Sequence, residues 1–308
     1  MIEEMIAKGM KAPGWERDMR NNRLPDILII TFLTFLSLIC FFPFYYVAIV
    51  SFANPISFMN QVLYILPYSF DLSGYKLLFE ERSVLSSVSV SVFTTLVGTI
   101  LSILITAMSA YGLSKKGAPF RRLFMTMILI TMFFGGQLIP YYVLIKSLKL
   151  IDSVWVLILP MMTNTFYLII LKNYFLSLPA SLEESAKIDG ANDIHIFYRI
   201  VVPISLPILA SITLFFAVDK WNEWWHAMLF INTKAKWPLQ MMLREILANI
   251  TNASISPVGK LMMAKYKNMN PQTVKMAAIL VTAIPILIVY PLLQRYFTKG
   301  ILIGSIKE

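Results

Sequence analysis

The sequence predicts an all-α membrane protein that crosses the bilayer six times. Of its 308 residues, 57% are hydrophobic and only 14% are charged, and the mean hydropathy is +0.68. Soluble domains have about 45–50% apolar and about 25% charged residues, so this composition excludes a water-soluble globule and a disordered chain. The formal net charge of +10 suits contact with anionic lipid headgroups rather than with nucleic acid.

Six apolar segments are long enough to cross the bilayer, because a helix of about 20 residues spans the roughly 30 Å of hydrocarbon. They are residues 27–52, 84–113, 123–145, 154–171, 204–231 and 274–296. No small-residue cleavage site follows the first segment, which indicates a retained helix rather than a signal peptide. The predicted organisation is an N-terminal segment 1–26, a six-span transmembrane domain 27–297 and a tail 298–308.

Basic residues beside the spans predict the orientation, because cytoplasmic loops are enriched in Lys and Arg. The side that holds both termini carries Lys8, Lys11, Arg17, Arg20, Arg23, Lys115, Lys116, Arg121, Arg122, Lys172, Lys187, Arg199, Arg295, Lys299 and Lys307. The first two loops on the other side carry only Lys76, Arg82, Lys146 and Lys149. The long last loop adds six more basic residues, but segments of that length translocate largely regardless of charge. Both termini and the loop 172–203 are therefore predicted to be cytoplasmic, and the loops 53–83 and 232–273 to lie outside.

The loop 172–203 has the pattern of two short helices joined at a glycine. Ser181 and Glu184 have capping-box spacing, so the first helix is predicted to begin at Ser181. Gly190 tolerates the left-handed conformation in which many helices end. A second helix is predicted over 193–202, ending before Pro203. Such a rigid protrusion suits insertion into a groove on another protein.

This loop resembles the glutamate–alanine–alanine loop of ABC importer permeases. In that family two alanines follow a glutamate, a glycine stands four residues further on, and the loop ends in isoleucine-x-leucine-proline. The matching residues here are Glu184, Ser185, Ala186, Gly190, Ile200 and Pro203. Ser185 replaces the first alanine and Val202 replaces the leucine, and both are small changes in size.

Further motifs narrow the resemblance to the carbohydrate branch, the permeases similar to the second membrane subunit of the maltose importer. Within that branch the chain looks most like the subgroup that handles complex oligosaccharides. The motifs lie at residues 136–142, 150–153, 178–179, 221–223 and 300–307. The likeness covers the chain from about residue 24 to the C-terminus.

The resemblance implies a type I ABC importer permease fold in the bacterial cytoplasmic membrane, with energy supplied by other subunits. A coupling helix would dock in a cleft of an ATP-binding subunit, and its residues are Glu184, Ser185, Ala186, Asp189 and Gly190. A second, homologous permease would enclose the path, two ATP-binding subunits would hold ATP and Mg, and an extracytoplasmic solute-binding protein would deliver the sugar. Nucleotide-driven closure would then produce alternating access.

The second half of the fifth span carries candidates for the translocation path. On one continuous helix, Asp219, Asn222, Glu223 and His226 fall within an arc of about 100°. Ionisable groups at membrane depth are costly, so these residues either line a cavity that binds sugar hydroxyls or pair with one another or with another helix. The opposite arc, which either stacks on sugar rings or forms an aromatic belt at the headgroups, carries Trp221, Trp224, Trp225 and Met228.

The sequence has no phosphate-binding loop, nucleophile elbow or zinc signature, so no enzymatic activity, catalytic residue, cofactor or metal site is predicted in this chain. One cysteine, Cys40, and two histidines provide few soft metal ligands. The main alternative function is a proton-coupled secondary transporter that uses Asp219, Glu223 and His226. A signalling receptor and a permease for another kind of solute are further alternatives.

The loop 232–273 is basic, with a net charge of +5. Its charged residues are Lys234, Lys236, Arg244, Glu245, Lys260, Lys265 and Lys267. Such a segment either attracts an acidic binding protein or an acidic sugar chain such as a uronate oligomer, or is simply a solvated face.

Overall fold

The computed structural model of the chain describes residues 23–59, 64–66, 69–80, 82–134, 136–255 and 270–305. Regular secondary structure in these ranges is helical, apart from an isolated antiparallel bridge between Ala53 and Phe70. Most of the N-terminal segment 1–26 and the end of the tail lie outside these ranges. Basic residues of the orientation and loop predictions that also lie outside are Lys8, Lys11, Arg17, Arg20, Lys260, Lys265, Lys267 and Lys307.

The α-helices follow one another along the chain with short 3₁₀ and π turns between some of them. They are α1 (Arg23–Ser51), α2 (Pro55–Met59), α3 (Ser73–Glu80), α4 (Arg82–Ser114), α5 (Arg121–Phe133), α6 (Leu138–Ser147), α7 (Thr165–Ser177), α8 (Ala180–Ile188), α9 (Asp193–Ile196), α10 (Val202–Ile204), α11 (Leu206–Trp221), α12 (Trp225–Phe230), α13 (Leu239–Ile255) and α14 (Pro271–Ser305). The 3₁₀ turns are Val154–Leu157, Leu159–Met161 and Lys234–Lys236, and Phe197–Val201 is a π turn.

Among the described residues, three uninterrupted helices are long and apolar enough to cross a membrane. Their apolar stretches are Pro25–Ser51 in α1, Val84–Ser114 in α4 and Gln272–Val289 in α14. They coincide with the first, second and sixth segments of the sequence analysis. The number of spans reaches six if each of three bent helix pairs in the described ranges is counted as one crossing.

The predicted third and fourth spans are broken rather than straight. Helices α5 and α6 meet at 118°, with Gly136 just before α6, and the 3₁₀ turns that begin at Val154 meet α7 at 43°. The bend before α7 follows Pro160 and is fixed by Asn164, whose side chain accepts hydrogen bonds from the amides of Phe166 and Tyr167. Proline and glycine both weaken a continuous helical hydrogen-bond ladder, which explains why apolar length alone missed these breaks.

The fifth predicted span, 204–231, is also wrong as a single helix. Helix α11 ends at Trp221, and α12 begins only at Trp225 after an irregular stretch. At its other end, α11 is bent by 85° from the segment Asp193–Ile204, next to Pro207. Because of this break at 222–224, the polar side chains before and after it do not lie on one helix face.

The core lies where α4, α7 and α11 pack together, and α14 joins this bundle to α1. Small residues line α4, and they allow close helix packing within a membrane. The polar side chains of α4 that are buried are Ser87, Ser91, Thr94, Thr99, Ser102, Thr106 and Ser114. At one end of the bundle the core continues into residues 180–204, a pair of short helices that we name the knuckle.

Candidate coupling surface and translocation site

The knuckle turns at Gly190 as the sequence predicts. Gly190 has φ +79°, and the amide of Ala191 donates to the carbonyl of Ala186 at 2.9 Å, which closes the end of α8. A residue with a side chain is strained in this left-handed conformation. Asn192 then begins α9, because its Oδ1 accepts a hydrogen bond from the amide of His195 at 2.8 Å. The glycine termination of the first helix is therefore confirmed.

Two details of the predicted knuckle are wrong. Helix α8 begins at Ala180 after Pro179, and no side chain caps it, so Ser181 and Glu184 do not form a capping box. The second helical segment continues through Pro203 to Ile204 instead of ending before the proline. The π turn Phe197–Val201 makes this possible, because Pro203 then falls in the first turn of α10, where no amide donor is needed.

The predicted coupling residues divide into exposed and anchoring positions. Glu184, Ser185, Asp189 and Gly190 are exposed, whereas Ala186 is buried in the core with Tyr111, Phe175 and Ile196. Two large apolar side chains of the knuckle are also exposed, Ile188 at 86% and Ile194 at 70%. The knuckle therefore presents apolar and charged groups outward while one small residue fixes it to the bundle.

A charged network joins the end of α4 to the knuckle, although it was absent from the sequence analysis. Lys115 forms an ion pair with Glu183, lies 3.9 Å from Asp193, and has its ammonium 4.0 Å from the ring centroid of Tyr111. Lys187 also binds Asp193, at 3.3 Å. Burial on its own would lower the pKa of Lys115, but hydrogen bonds to Glu183 and Tyr111 outweigh it and raise that pKa.

A groove of about 1050 Å³ lies between α4 and the knuckle and contains this network. Its lining includes Lys115, Lys116, Glu183, Glu184 and Phe197. The predicted site residue Glu184 thus faces an open, charged surface, and its neighbour Glu183 holds the contact with α4. Of these two adjacent glutamates, Glu184 is therefore the one that is available to contact another protein.

At the other end of α11, a buried lysine that the sequence analysis did not select joins three spans. Lys220 is only 2% exposed, and its Nζ donates to the carbonyls of Ile158 at 3.2 Å and Met161 at 3.0 Å. These carbonyls belong to the 3₁₀ turns of the broken fourth span. The aliphatic part of the Lys220 side chain packs against α4 at Gly98. A Cβ added to Gly98 would lie 3.1 Å from Cε of Lys220. The sequence signal was available, since a lysine inside an apolar span is rare.

The four candidate path residues do not form one polar face, because the helix that was to carry them ends at Trp221. Asp219 accepts a hydrogen bond from the Tyr167 hydroxyl at 2.9 Å. Glu223 is 8% exposed and accepts from the backbone amide of His226 at 2.7 Å, with the His226 ring Nδ1 at 3.1 Å. Asn222 is exposed and accepts from Gln240 at 3.1 Å. The single arc is wrong, and the pairing interpretation holds for Glu223 with His226.

The tryptophans of this region also separate. Trp221 is buried and donates its indole N–H to the carbonyl of Thr282 at 3.0 Å. Trp224 lies under Arg244, whose Cζ is 3.5 Å from the ring centroid. Trp225 is 44% exposed and meets Trp224 edge-on. These side chains therefore have three different environments instead of one indole face.

Asp152, one of the motif residues, forms a clasp between two loops. Its carboxylate accepts from the amides of Asn232 and Thr233 at 3.1 and 2.9 Å, and from the Lys236 ammonium at 2.9 Å. The backbone amide of Thr233, followed by the Lys236 ammonium, holds the pKa of the Asp152 carboxyl well below its usual range. Asp152 itself has φ +57°, so the loop geometry depends on this clasp.

Within the described ranges no group of three or more His, Cys, Asp and Glu side chains could hold a metal ion. A bundle of apolar helices with an exposed, charged knuckle at one end and buried polar groups along one span is built like a membrane transport permease.

Comparisons with known proteins give the particular family. The Bacillus subtilis polygalacturonan/rhamnogalacturonan transport system permease protein YtcP is 44% identical over 286 residues, covering 93% of this chain and 99% of that protein. Protein LplC of Bacillus subtilis is 44% identical over 290 residues, covering 93% of this chain and 96% of that protein. The chain therefore belongs to the carbohydrate ABC transporter permeases, which confirms the family predicted from the loop. No family model matches the chain.

A solved structure agrees with this assignment. It is a chain of a bacterial ABC transporter involved in the import of the acidic polysaccharide alginate. The TM-score is 0.80 at 30% sequence identity, and the match covers 90% of this chain and 98% of that chain. The all-α ABC importer permease fold is thus confirmed.

Proposed function

We propose that this chain is a permease subunit of an ATP-driven oligosaccharide importer and that the knuckle is its coupling helix. The observation that carries the proposal is the exposed surface of the knuckle, where Glu184, Ile188 and Ile194 project from a turn fixed at Gly190. A rigid projection with an apolar centre and a charged rim has the composition of a protein interface.

The proposed partners follow from the same family assignment. A second, related permease encloses the path with this chain, and two ATP-binding subunits dock on the coupling helices and hold ATP and Mg. An extracytoplasmic solute-binding protein delivers the sugar at the opposite end. The knuckle then lies in the cytoplasm, in agreement with the excess of basic residues on that side.

The proposed cycle is alternating access. ATP binding closes the ATP-binding subunits, which moves the knuckle and shifts the equilibrium between inward-open and outward-open states. Lys115 and Ala186 tie the knuckle to α4 and to the core, so a displacement of the knuckle is passed to the spans instead of being absorbed by a flexible loop.

The proposed substrate is an acidic oligosaccharide. One relative is named for polygalacturonan and rhamnogalacturonan transport, and the solved transporter takes part in the import of alginate, an acidic polysaccharide. In the described part of the loop 232–273, Lys234, Lys236 and Arg244 outnumber the single acid Glu245. Positive charge at this end of the bundle favours the approach of an anionic sugar.

The test is uptake of labelled oligogalacturonate by vesicles that contain the importer reconstituted with its partner subunits. We expect Gly190→Pro to abolish uptake while the protein still inserts and ATP hydrolysis continues. The substitution removes the amide that donates to the carbonyl of Lys187 at 3.1 Å, and proline cannot adopt φ +79°.

The control is Gly190→Asn, because asparagine tolerates the left-handed conformation and keeps the amide. This variant should retain most of the uptake. Normal transport by Gly190→Pro would contradict the coupling role of the knuckle. Uptake that stops when the proton gradient is collapsed and persists without ATP would instead support the secondary transporter.

A further inference from the structure

The basic side chains near the end of α11 are not equally available to a ligand. Lys234 binds Glu245 at 2.5 Å, and Lys236 binds Asp152 at 2.9 Å. Arg244 is exposed, and nothing in the described part of the chain accepts a hydrogen bond or an ion pair from its guanidinium. Among the described residues, Arg244 is therefore the basic side chain of the loop 232–273 whose charge and donors are unpaired.

Arg244 is also held in place. Its Cζ lies 3.5 Å from the centroid of the Trp224 ring, a cation–π contact that restricts the long side chain without using its N–H groups. Guanidinium groups fixed by stacking lose little further entropy when they bind a planar anion. This geometry is typical of an arginine that is pre-organised for a carboxylate.

Amide and indole groups lie on the elements that hold Arg244 and Trp224. Gln240 precedes Arg244 by four residues on α13, so both lie on one helix face, and its Nε2 donates to Oδ1 of Asn222 at 3.1 Å. The ring of Trp225 lies 5.5 Å from that of Trp224, at 89°, and is 44% exposed. Charge, amide dipoles and an open apolar ring thus meet where α11 ends and α12 begins.

We propose that Trp224, Trp225 and Arg244, together with Asn222 and Gln240, form a subsite for one uronate ring of an acidic oligosaccharide. The guanidinium binds the ring carboxylate through two parallel N–H groups, and the amides bind neighbouring hydroxyls. The indole of Trp225 covers the apolar face of the sugar ring. This inference rests on the proposed function and adds the chemical group that selects the substrate.

The experiment compares two trisaccharides in vesicles that contain the complete importer: tri-galacturonate and its fully methyl-esterified form, which has the same rings without the charges. We expect Arg244→Gln to raise KM for the acid by about tenfold or more, the usual effect of losing a charge-assisted hydrogen bond. The maximal rate for the acid and the KM for the ester should stay within about twofold, because folding and coupling are untouched.

The matched control is Lys234→Gln, which removes one positive charge from the same loop but lies outside the cluster. Because Lys234 contributes only long-range steering, this variant should change the KM for either sugar by less than about twofold. An equal increase with Lys234→Gln would show general steering by charge and would overturn the subsite. The subsite is also overturned if Arg244→Gln leaves the KM for the acid unchanged, or if it reduces the uptake of acid and ester equally. It is overturned as well if the wild type does not import the acid. ATP-driven uptake of the ester in any of these cases would leave the oligosaccharide importer standing, although a wild type that does not import the acid would also overturn the acidic substrate.

Discussion

Lys220 is bound to backbone carbonyls instead of a carboxylate, and this explains how a buried ammonium is accommodated within the bundle. The carbonyl of Met161 is available because the broken fourth span ends its second 3₁₀ turn there, whereas the carbonyl of Ile158 also accepts from the backbone amide of Met161 at 3.2 Å. The Lys220 ammonium therefore supplies hydrogen-bond donors to the carbonyls at the break, and these carbonyls stabilise its charge. Gly98 provides the space for the lysine stem on α4.

Asp152 makes the stability of the two loops that it joins depend on pH. Its pKa in the folded protein is below the ordinary value of 3.8, so its contribution is complete above that value and is lost as the pH falls through and below it. We expect Asp152→Asn to lower the apparent Tm of the purified protein by a few degrees at about pH 7. The variant should also show a smaller loss of Tm than the wild type between about pH 5 and pH 3.

Thermal unfolding in detergent at several pH values is the measurement. Asp26→Asn is the control, because Asp26 is an exposed carboxylate on α1 and no loop amide or lysine in the described part of the chain binds it, so its Tm should stay close to that of the wild type. A variant Asp152→Asn that loses as much Tm on acidification as the wild type would contradict this assignment.

At the scale of elements, the ion pair of Lys115 with Glu183 joins α4 to the first helix of the knuckle. Both side chains are less than one third exposed, at 21% and 30%, so the pair is shielded from solvent more than an ordinary surface pair. We expect Lys115→Glu to reduce the uptake achieved per ATP hydrolysed by roughly fivefold, because two like charges then face each other. The double variant that combines Lys115→Glu with Glu183→Lys exchanges the two charges. It should restore most of the uptake per ATP hydrolysed.

Lys187→Gln is the matched control for this exchange. Lys187 binds Asp193 at 3.3 Å, but both side chains are more than half exposed, and such pairs contribute little. Coupling should therefore stay near that of the wild type. Failure of the double exchange to recover more uptake per ATP than either single variant would show that the pair does not act as a connection.

Local sequence patterns predicted where helices lie better than they predicted where the membrane spans are broken. The end of α8 at Gly190 depends on one residue's backbone freedom, so the sequence contains all the information required. The break of the fifth span at Trp221 is different, because its stabilising contacts come from elsewhere. Lys220 finds its carbonyls about 60 residues away, at separations of 62 and 59, and Asp152 finds its amides 80 and 81 residues away. Helical periodicity cannot detect such partners.

At the scale of the whole molecule, two kinds of exposed apolar surface have to be distinguished. Helix α1 is exposed along most of its length and remains helical from end to end, with one backbone donor missing at Pro43, so lipid can cover it. The turn between α5 and α6 is also exposed, with Phe134 and Ile139 both at 78%, but the chain bends by 118° there. Backbone groups freed by a bend are not satisfied by lipid, so another protein has to cover them.

We therefore expect the second permease to cover the α5–α6 bend. In a Cys40→Ser background, which removes the chain's only cysteine, Ile139→Cys should form a cross-link to the partner permease with a short bifunctional maleimide. Leu38→Cys on α1 is the control, because Leu38 is 62% exposed on a helix that lipid can cover, and it should give no such product. Cross-linking from position 38 and none from position 139 would reverse the assignment of the two surfaces. The bend would then lie in lipid, which its unpaired backbone groups make energetically unfavourable.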